Sequence, residues 1–499
     1  MVYPSRGISF VAIPPIGLAY VAAALEDAGH RIGLVDGIAQ WSDKFYSATY
    51  GGRLLGINGG TTQAIAEAVP RDTEIVGISC MFMHQWPLVR DLIADIRKQM
   101  PTCTIVLGGE HATGAAELIL HQSSADFVVL GEGEETVVEL VNALQQKQVR
   151  FDNIAGLAIR NPDPARTRPR ARIRSTPTAA RPAWHLVDVE VYMRRKLFHG
   201  PSLGKSMPIM ATRGCPYQCT FCTSPQMWTT TWLARDPKDV VDEMRQYYFK
   251  YGATDFQFVD LTAILKRSWI LEFCDALNQA KLPGITWQLP SGTRSEAIDN
   301  DVAKRLVESG CKVMTYAPES GSTRILKQIK KKVHLPRMYK SIRAARQAGM
   351  TVECFVILGF PGETMRDVLA TYWFLMQTAW LGVESTPIAA YRPTPGSEMG
   401  DHMAAQGSLT WTDEVFVDLV ESAAIWGGRS YNWRWSDRTL ATIRLLGYMV
   451  FFATAFAVRP WRPFRILNNM RRGIQTSKLE KSLLELRQRK APASLGPQT

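Results

Sequence analysis

At 499 residues and 46% hydrophobic content, the chain is long enough for two or three domains with full cores, which excludes a disordered or purely linking role. A formal charge of +12 suits nucleic acid or anionic lipid. The excess is unevenly placed, however: Arg166, Arg168, Arg170, Arg172 and Arg174 form a run among prolines that reads as solvated, and a second group follows an apolar C-terminal stretch.

The first expected strand, Ile8 to Ile13, ends in Pro14-Pro15. An apolar helix then runs from Gly17 to Leu25 and is stopped by Gly29. The pattern recurs with strands at Arg31 to Val35, Glu74 to Cys80, Thr104 to Leu107 and Asp126 to Leu130, and with helices over 86–99, 114–121 and 135–146. Such alternation implies a flavodoxin-like, doubly wound parallel sheet over residues 1–146. Ligands bind beyond the carboxyl ends of such strands. The loops there carry Pro14 and Gly17, then Ser79, then Gly108, Gly109, Glu110 and His111, and finally Gly131, Glu132, Gly133 and Glu134. Glycine lets the backbone approach a ligand closely.

Residues 147–205 read as a connector with one strand candidate, Ile154 to Ile159, and many prolines. Alternation restarts at Pro208 and gives strands near 208–214, 255–260, 285–289, 312–317, 351–358 and 384–391. Six strand–helix units over 206–400 imply a partial (β/α)6 barrel rather than the full eightfold one. Just after its first strand stands Cys215-x-x-x-Cys219-x-x-Cys222. A structural zinc site is closed by four ligands and an iron–sulfur cluster normally takes four cysteines, so three cysteines leave one iron of a cluster open. A zinc or disulfide loop is the alternative. The other five cysteines, at 80, 103, 274, 311 and 354, lie in apolar runs as small core residues. Scattered thiols and the absence of a signal-type N-terminus point to a reducing cytoplasm.

Residues 401–499 turn helical, with Trp411, Trp426, Trp433 and Trp435 expected in the core. Leu445 to Val458 is a fourteen-residue run without a charge, followed by Arg459, Arg462, Arg465, Arg471 and Arg472 with Trp461 and Phe464. Fourteen residues fall short of the roughly twenty that cross a bilayer. The segment suits either a helix in a membrane interface, peripheral to the inner face, or a buried helix beside a basic surface. Residues 477–490 read as a charged helix.

The cysteine spacing, with Phe221 before the third cysteine, resembles the radical S-adenosylmethionine (SAM) enzymes. The ordered glycine loops of the first domain resemble the cobalamin-binding domain fused to many of them. The resemblance covers residues 8–400. It implies a [4Fe-4S] cluster on Cys215, Cys219 and Cys222 whose open iron chelates SAM, and an electron donor such as flavodoxin or ferredoxin. Tyr316-Ala317-Pro318-Glu319-Ser320-Gly321-Ser322 resembles the family's G-x-E-S-G-S segment, making Glu319 a ribose partner and Ser320 its neighbour, with the first glycine replaced. Gly359-Phe360-Pro361-Gly362-Glu363-Thr364 resembles the G-x-P-G-E-T turn near the adenine, placing Gly359, Pro361 and Gly362 in the site, as does Tyr391 after strand six. Asp260 is a candidate for the SAM amino group, with turn capping as the alternative. Gly108 and Gly109 would lie along the corrinoid's nucleotide tail. The D-x-H-x-x-G motif that gives cobalt a histidine is absent, and His111 reads as a pocket or structural residue. The fusion implies methylation of an unactivated carbon in a small, hydrophobic, lipid-like substrate through a 5'-deoxyadenosyl radical and methylcobalamin. The rivals are a reaction of the anaerobic magnesium-protoporphyrin ester cyclase type and a cobalamin sensor with a structural cluster. Action on nucleic acid is not expected, since neither a second cysteine triad nor an RNA-binding domain is evident.

Overall fold

Apolar runs of the first 166 residues assemble into one seven-stranded sheet in the computed structural model, which describes residues 1–3, 6–7, 12–147, 150–160, 164–172, 181–294, 296–421 and 427–489. Its strands and main helices are β1 (Val2–Tyr3), α1 (Ile16–Asp27), β2 (Val35–Asp36), β5 (Ile75–Ser79), α2 (Trp86–Gln99), β6 (Thr104–Gly108), β7 (Phe127–Val129), α3 (Glu134–Gln145), β8 (Leu157–Ile159) and β9 (Ala165–Arg166), with a hairpin of β3 (Phe45–Tyr50) and β4 (Arg53–Asn58), joined by Arg6–Gly7 pairing with β4, set apart between β2 and β5. The strands lie in the order β9-β8-β7-β6-β5-β1-β2. The five from β7 to β2 are parallel and follow the flavodoxin-like order. Helices cover both faces, which is why β6 and β7 read as continuous apolar runs.

Three expectations change here. The expected strand at 8–13 falls largely outside the described residues, and the place beside β2 is held by Val2–Tyr3, which pairs with Val35 and Asp36. The segment taken as a connector adds β8 and β9 antiparallel to the sheet's edge. The arginine run is not simply solvated, because Arg166 pairs with Glu117, Arg170 with Glu135 and Glu139, and Arg172 with Glu132. Arg174 lies outside the described residues.

The second sheet holds β10 (Ser206–Ile209), β11 (Asp255–Phe258), β12 (Thr286–Thr293), β13 (Cys311–Glu319), β14 (Thr351–Leu358) and β15 (Ile388–Ala390), all parallel and in chain order. Helices α4 (Pro237–Tyr251), α5 (Arg267–Gln279), α6 (Asn300–Glu308), α7 (Leu335–Gln347) and α8 (Met365–Leu381) cover its outside. Asp236 caps α4 by accepting the Lys238 N–H, with Pro237 in the first turn. Six strands leave an open edge at β15. It is closed from the C-terminal region, which contains α9 (Asp413–Glu421), α10 (Asp437–Val458), α11 (Arg462–Arg472) and α12 (Lys478–Arg489). The Ile388 N–H donates to Tyr448 Oη at 2.9 Å, and Arg444 Nε donates to the Ile388 carbonyl at 3.0 Å. These bonds occupy both backbone groups of Ile388 on the open edge. At the opposite, N-terminal ends of the strands, Lys478 and Lys481 of α12 enter the barrel floor and reach the carbonyls of Pro290 and Phe198.

Helix α10 has 22 residues and contains the fourteen-residue apolar run. It therefore meets the length and composition for crossing a bilayer, which the run alone does not. Of the tryptophans expected in the core, Trp411 and Trp435 pack partly buried against it. Trp433 is 73% exposed, and Trp426 lies outside the described residues.

Candidate active site between two sets of strand ends

The cysteine loop begins where β10 ends, and its root is held by Asp260 at the end of β11. Asp260 accepts the N–H groups of Ala211 and Thr212 and, at 2.6 Å, the Thr212 hydroxyl. Burial raises its carboxyl to about 6 against those hydrogen bonds. The turn-capping alternative thus describes its contacts. Gly214 follows with φ +87°, and a β-carbon there would lie 2.2 Å from the Thr231 carbonyl oxygen, so the loop requires glycine.

All eight cysteines are free of disulfides, and Cys215, Cys219 and Cys222 are partly buried whereas the other five are buried. Thr262 Oγ1 lies 3.6 Å from Cys215 Sγ, and Ser224 Oγ lies 3.2 Å from Cys222 Sγ. Burial raises the thiols of Cys219 and Cys222, the latter to about 11. Among the described residues no three His, Cys, Asp or Glu side chains gather closely enough to hold one metal ion.

Behind the loop, Phe221 packs on Phe360 with ring centroids 5.7 Å apart, and Phe360 on Tyr391 at 5.2 Å. Glu319 sits in the left-handed region, φ +69°, and accepts from Lys331 Nζ at 2.9 Å. Ser320 turns to α8, its hydroxyl 3.2 Å from Thr371 Oγ1. In the turn after β14, Gly359 and Gly362 have φ of +89° and +74°. The Pro361 carbonyl accepts from Gln328. Glu363 folds back so that one carboxylate oxygen accepts the Gly359 N–H at 2.6 Å, while the other is buried with no partner among the described residues. Burial is the main cause that raises Glu363 to about 8. Asn432 from the C-terminal region fixes this turn by donating to the carbonyls of Phe360 and Glu363 at 2.8 and 3.0 Å.

The loops of the first domain face this assembly. Pro14 lets its carbonyl accept the Ile16 N–H at the start of α1, and a β-carbon on Gly17 would meet nothing within 4 Å. Ser79 pairs with Gly108 across β5 and β6. Gly109, φ +118°, passes so close to Cys80 that a β-carbon would lie 2.7 Å from its carbonyl oxygen. Glu110, raised by burial, accepts the Thr223 hydroxyl at 2.5 Å, one residue after Cys222. His111 is buried between Trp86 and Phe416, and its ring nitrogens have no partner among the described residues. Desolvation lowers it to about 3, so it is neutral. Gly131, φ +73°, lies against the Met227 carbonyl, and Gly133 against Val129. Glu132 binds Arg172 and Arg213 at 2.5 and 3.2 Å, and Glu134 binds Arg213 at 2.7 Å. Gly114 and Gly396 touch backbone to backbone, where a β-carbon on Gly396 would stand 2.6 Å from Gly114 Cα.

The expected residues therefore divide. Gly17 stands open, Gly109 and Gly131 pass close to the carbonyls of Cys80 and Met227, and Glu132 and Glu134 are occupied by arginines. Arg213, Arg172, Lys331, Glu363 and Asn432 were not nominated from sequence. Glu363 could have been, since it stands inside the turn motif.

Models of the B12 binding domain and of the Radical SAM superfamily match residues 10–141 and 209–375. The chain is a cobalamin-binding radical SAM enzyme. Its cofactors are a [4Fe-4S] cluster, SAM and cobalamin. The enzyme is 28% identical over 439 residues to the cytidylyl-2-hydroxyethylphosphonate methyltransferase of Streptomyces wedmorensis, spanning 82% of this chain and 79% of that one. It is 24% identical over 417 residues to the hopanoid C-3 methylase of Methylococcus capsulatus, spanning 82% and 72%. In fold it resembles the radical SAM methyltransferase TsrM of Kitasatospora setae, with a TM-score of 0.66 at 19% identity over 82% of this chain and 76% of that one.

Proposed function

We propose that the enzyme methylates an unactivated carbon of a hydrophobic natural product or lipid-like molecule. The observation that carries this reading is the apposition of the two sets of strand ends, in which Arg213, two residues before Cys215, is held by Glu132 and Glu134 of the first domain. Relatives named as a methyltransferase and a methylase match across 82% of the chain, and they support methyl transfer over other radical outcomes. One acts on a phosphonate and the other on a hopanoid by name, so the hydrophobic substrate rests instead on this chain's own apolar C-terminal surface.

In this reading Cys215, Cys219 and Cys222 hold the cluster. Phe221, Glu319, Ser320, Gly359, Pro361, Gly362 and Tyr391 line the SAM side, and Asp260 acts through Thr212 to position the loop. Pro14, Gly17, Ser79, Gly108, Gly109, Gly131 and Gly133 line the corrinoid side, and Glu110, Glu132 and Glu134 tie it to the barrel. When bound, the cofactors supply a 5'-deoxyadenosyl radical and a transferable methyl group. An unactivated carbon offers no electron pair to a polar methyl donor, and hydrogen abstraction removes that obstacle. The chain's part is to align the reacting centres and exclude water, with the electron drawn from a flavodoxin- or ferredoxin-type donor.

The test uses anaerobically reconstituted enzyme with cobalamin, reductant, methyl-deuterated SAM and a lipid-rich extract, with Cys222→Ala as control. Comparable S-adenosylhomocysteine and 5'-deoxyadenosine, with deuterated methyl in an extract molecule, is the expected result. Deoxyadenosine alone would favour a cyclase-type reaction, and neither product a sensor.

A further inference from the structure

We propose that the outer face formed by α8, α10 and α11 docks the enzyme on an anionic phospholipid bilayer. A helix covering a barrel normally turns polar residues outward. On α8 the outward positions are Met365, Leu369, Trp373, Met376 and Trp380, spaced by four, four, three and four residues so that they form one stripe. Trp373 and Trp380 are 59% and 66% exposed. Helix α10 lies alongside, joined by the 2.6 Å hydrogen bond from the Tyr372 hydroxyl to the Ile443 carbonyl and by Arg459 on the carbonyls of Ala379 and Trp380. It turns Leu446 and Met449 outward, and α11 continues the surface with Trp461 and Phe464, 61% and 74% exposed. An apolar surface of this extent marks an interaction site.

Charge identifies the occupant. From Arg438 to Leu479 the sequence has no Asp or Glu and eight Lys or Arg, of which Arg444 and Arg462 are buried, Arg465 pairs with Glu384 and Lys478 with Glu353. Arg438, Arg471 and Arg472 are exposed, as is Arg366 on α8. A second copy would set one cationic face against another. Tryptophan interleaved with arginine matches the interfacial zone of an anionic membrane. The helix lies on the bilayer and does not cross it, although α10 is long enough. Arg444 is buried and donates to the carbonyls of Ile388 and Gly427, and Tyr448 holds the edge of β15. Leaving the barrel would strand those groups. The stripe starts at Met365, directly after the Gly359–Thr364 turn, and exposed Trp433 stands 3.0 Å from where a β-carbon on Gly362 would be, so docking brings the rim of the site to the lipid surface. The benefit for a lipid-like substrate rests on the function proposed above, while docking itself does not.

The experiment is vesicle flotation of the reconstituted enzyme with phosphatidylglycerol–phosphatidylethanolamine or phosphatidylcholine vesicles, alongside light scattering for oligomeric mass. Trp373→Ser/Trp380→Ser and Arg471→Glu/Arg472→Glu are compared, with cluster absorbance and SAM cleavage reporting intact folding. The wild type should float with the anionic vesicles and far less with phosphatidylcholine, and each double variant should lose at least about tenfold in partitioning, the arginine pair through lost attraction to anionic lipid and the tryptophan pair through lost apolar contact with the bilayer. Absence of flotation, equal binding by the variants, or a wild-type dimer that the tryptophan variant converts to monomer would overturn the proposal. Binding is read without turnover, so it stands or falls apart from the methylation reading.

Discussion

Both sheets present the carboxyl ends of parallel strands to a common space, but their loops treat polar groups in opposite ways. In the first domain the acids are occupied: Glu110 by Thr223 and Glu134 by Arg213 of the neighbouring domain, and Glu132 by Arg213 together with Arg172 of the connecting segment. In the barrel, three thiols stay free of disulfides and one oxygen of Glu363 stays unpartnered among the described residues. One set of loops locks the geometry and the other keeps its donors available, so position and chemistry are carried by different residues.

The barrel side breaks most completely with Cys219→Ala. Iron content should fall and 5'-deoxyadenosine formation should vanish, while cobalamin binding, read by its visible absorbance, survives. On the locking side, Arg213→Met leaves Glu132 and Glu134 without their shared cation. Removing one partner of a buried pair costs about 3–5 kcal/mol, to be measured by urea unfolding, with the low end expected because Glu132 keeps Arg172, and Glu132→Gln should cost a comparable amount because Arg172 and Arg213 both lose its carboxylate. Glu363 sharpens the contrast through pH. Its folded value of about 8 lies above the usual carboxylate range, so the folded protein retains a proton that the unfolded chain gives up near pH 4.3. Stability should therefore fall as pH rises from about 4.3 to about 8 and level off beyond, and thermal melts of Glu363→Gln should lack that slope. The smallest effect is expected at the joint, where Gly396→Ala, with φ +81° and no room for a β-carbon, should cost about 1–3 kcal/mol and speed proteolysis between the domains.

Periodicity made much of this legible. Helix α2 runs over 86–99 as its apolar spacing predicts, and the barrel strands fall within a few residues of their expected places. The β3–β4 hairpin was missed although Gly51-Gly52 between β-prone runs, both with positive φ, is a turn signal. Short β1 escaped because two residues have no period. In the site, the cysteines and glycine turns announce themselves by spacing, whereas Arg213, Lys331 and Asn432 act through partners 81, 12 and 72 residues away, which no local pattern encodes. The arginine run looked solvated for the same reason, since its acids lie on α3, on the loop before it and on the helix Ala116–Gln122.

The meeting of Gly114 with Gly396 bears on how such enzymes descend and can be recombined. A side chain at either position would strike the other's loop, and Arg213 needs two acids on the far side. Neither half can drift alone at these points. A chimera that borrows its first domain from a relative should assemble only when the graft brings a glycine at 114 and acids at 132 and 134, so the two domains are inherited as a matched set rather than as interchangeable modules.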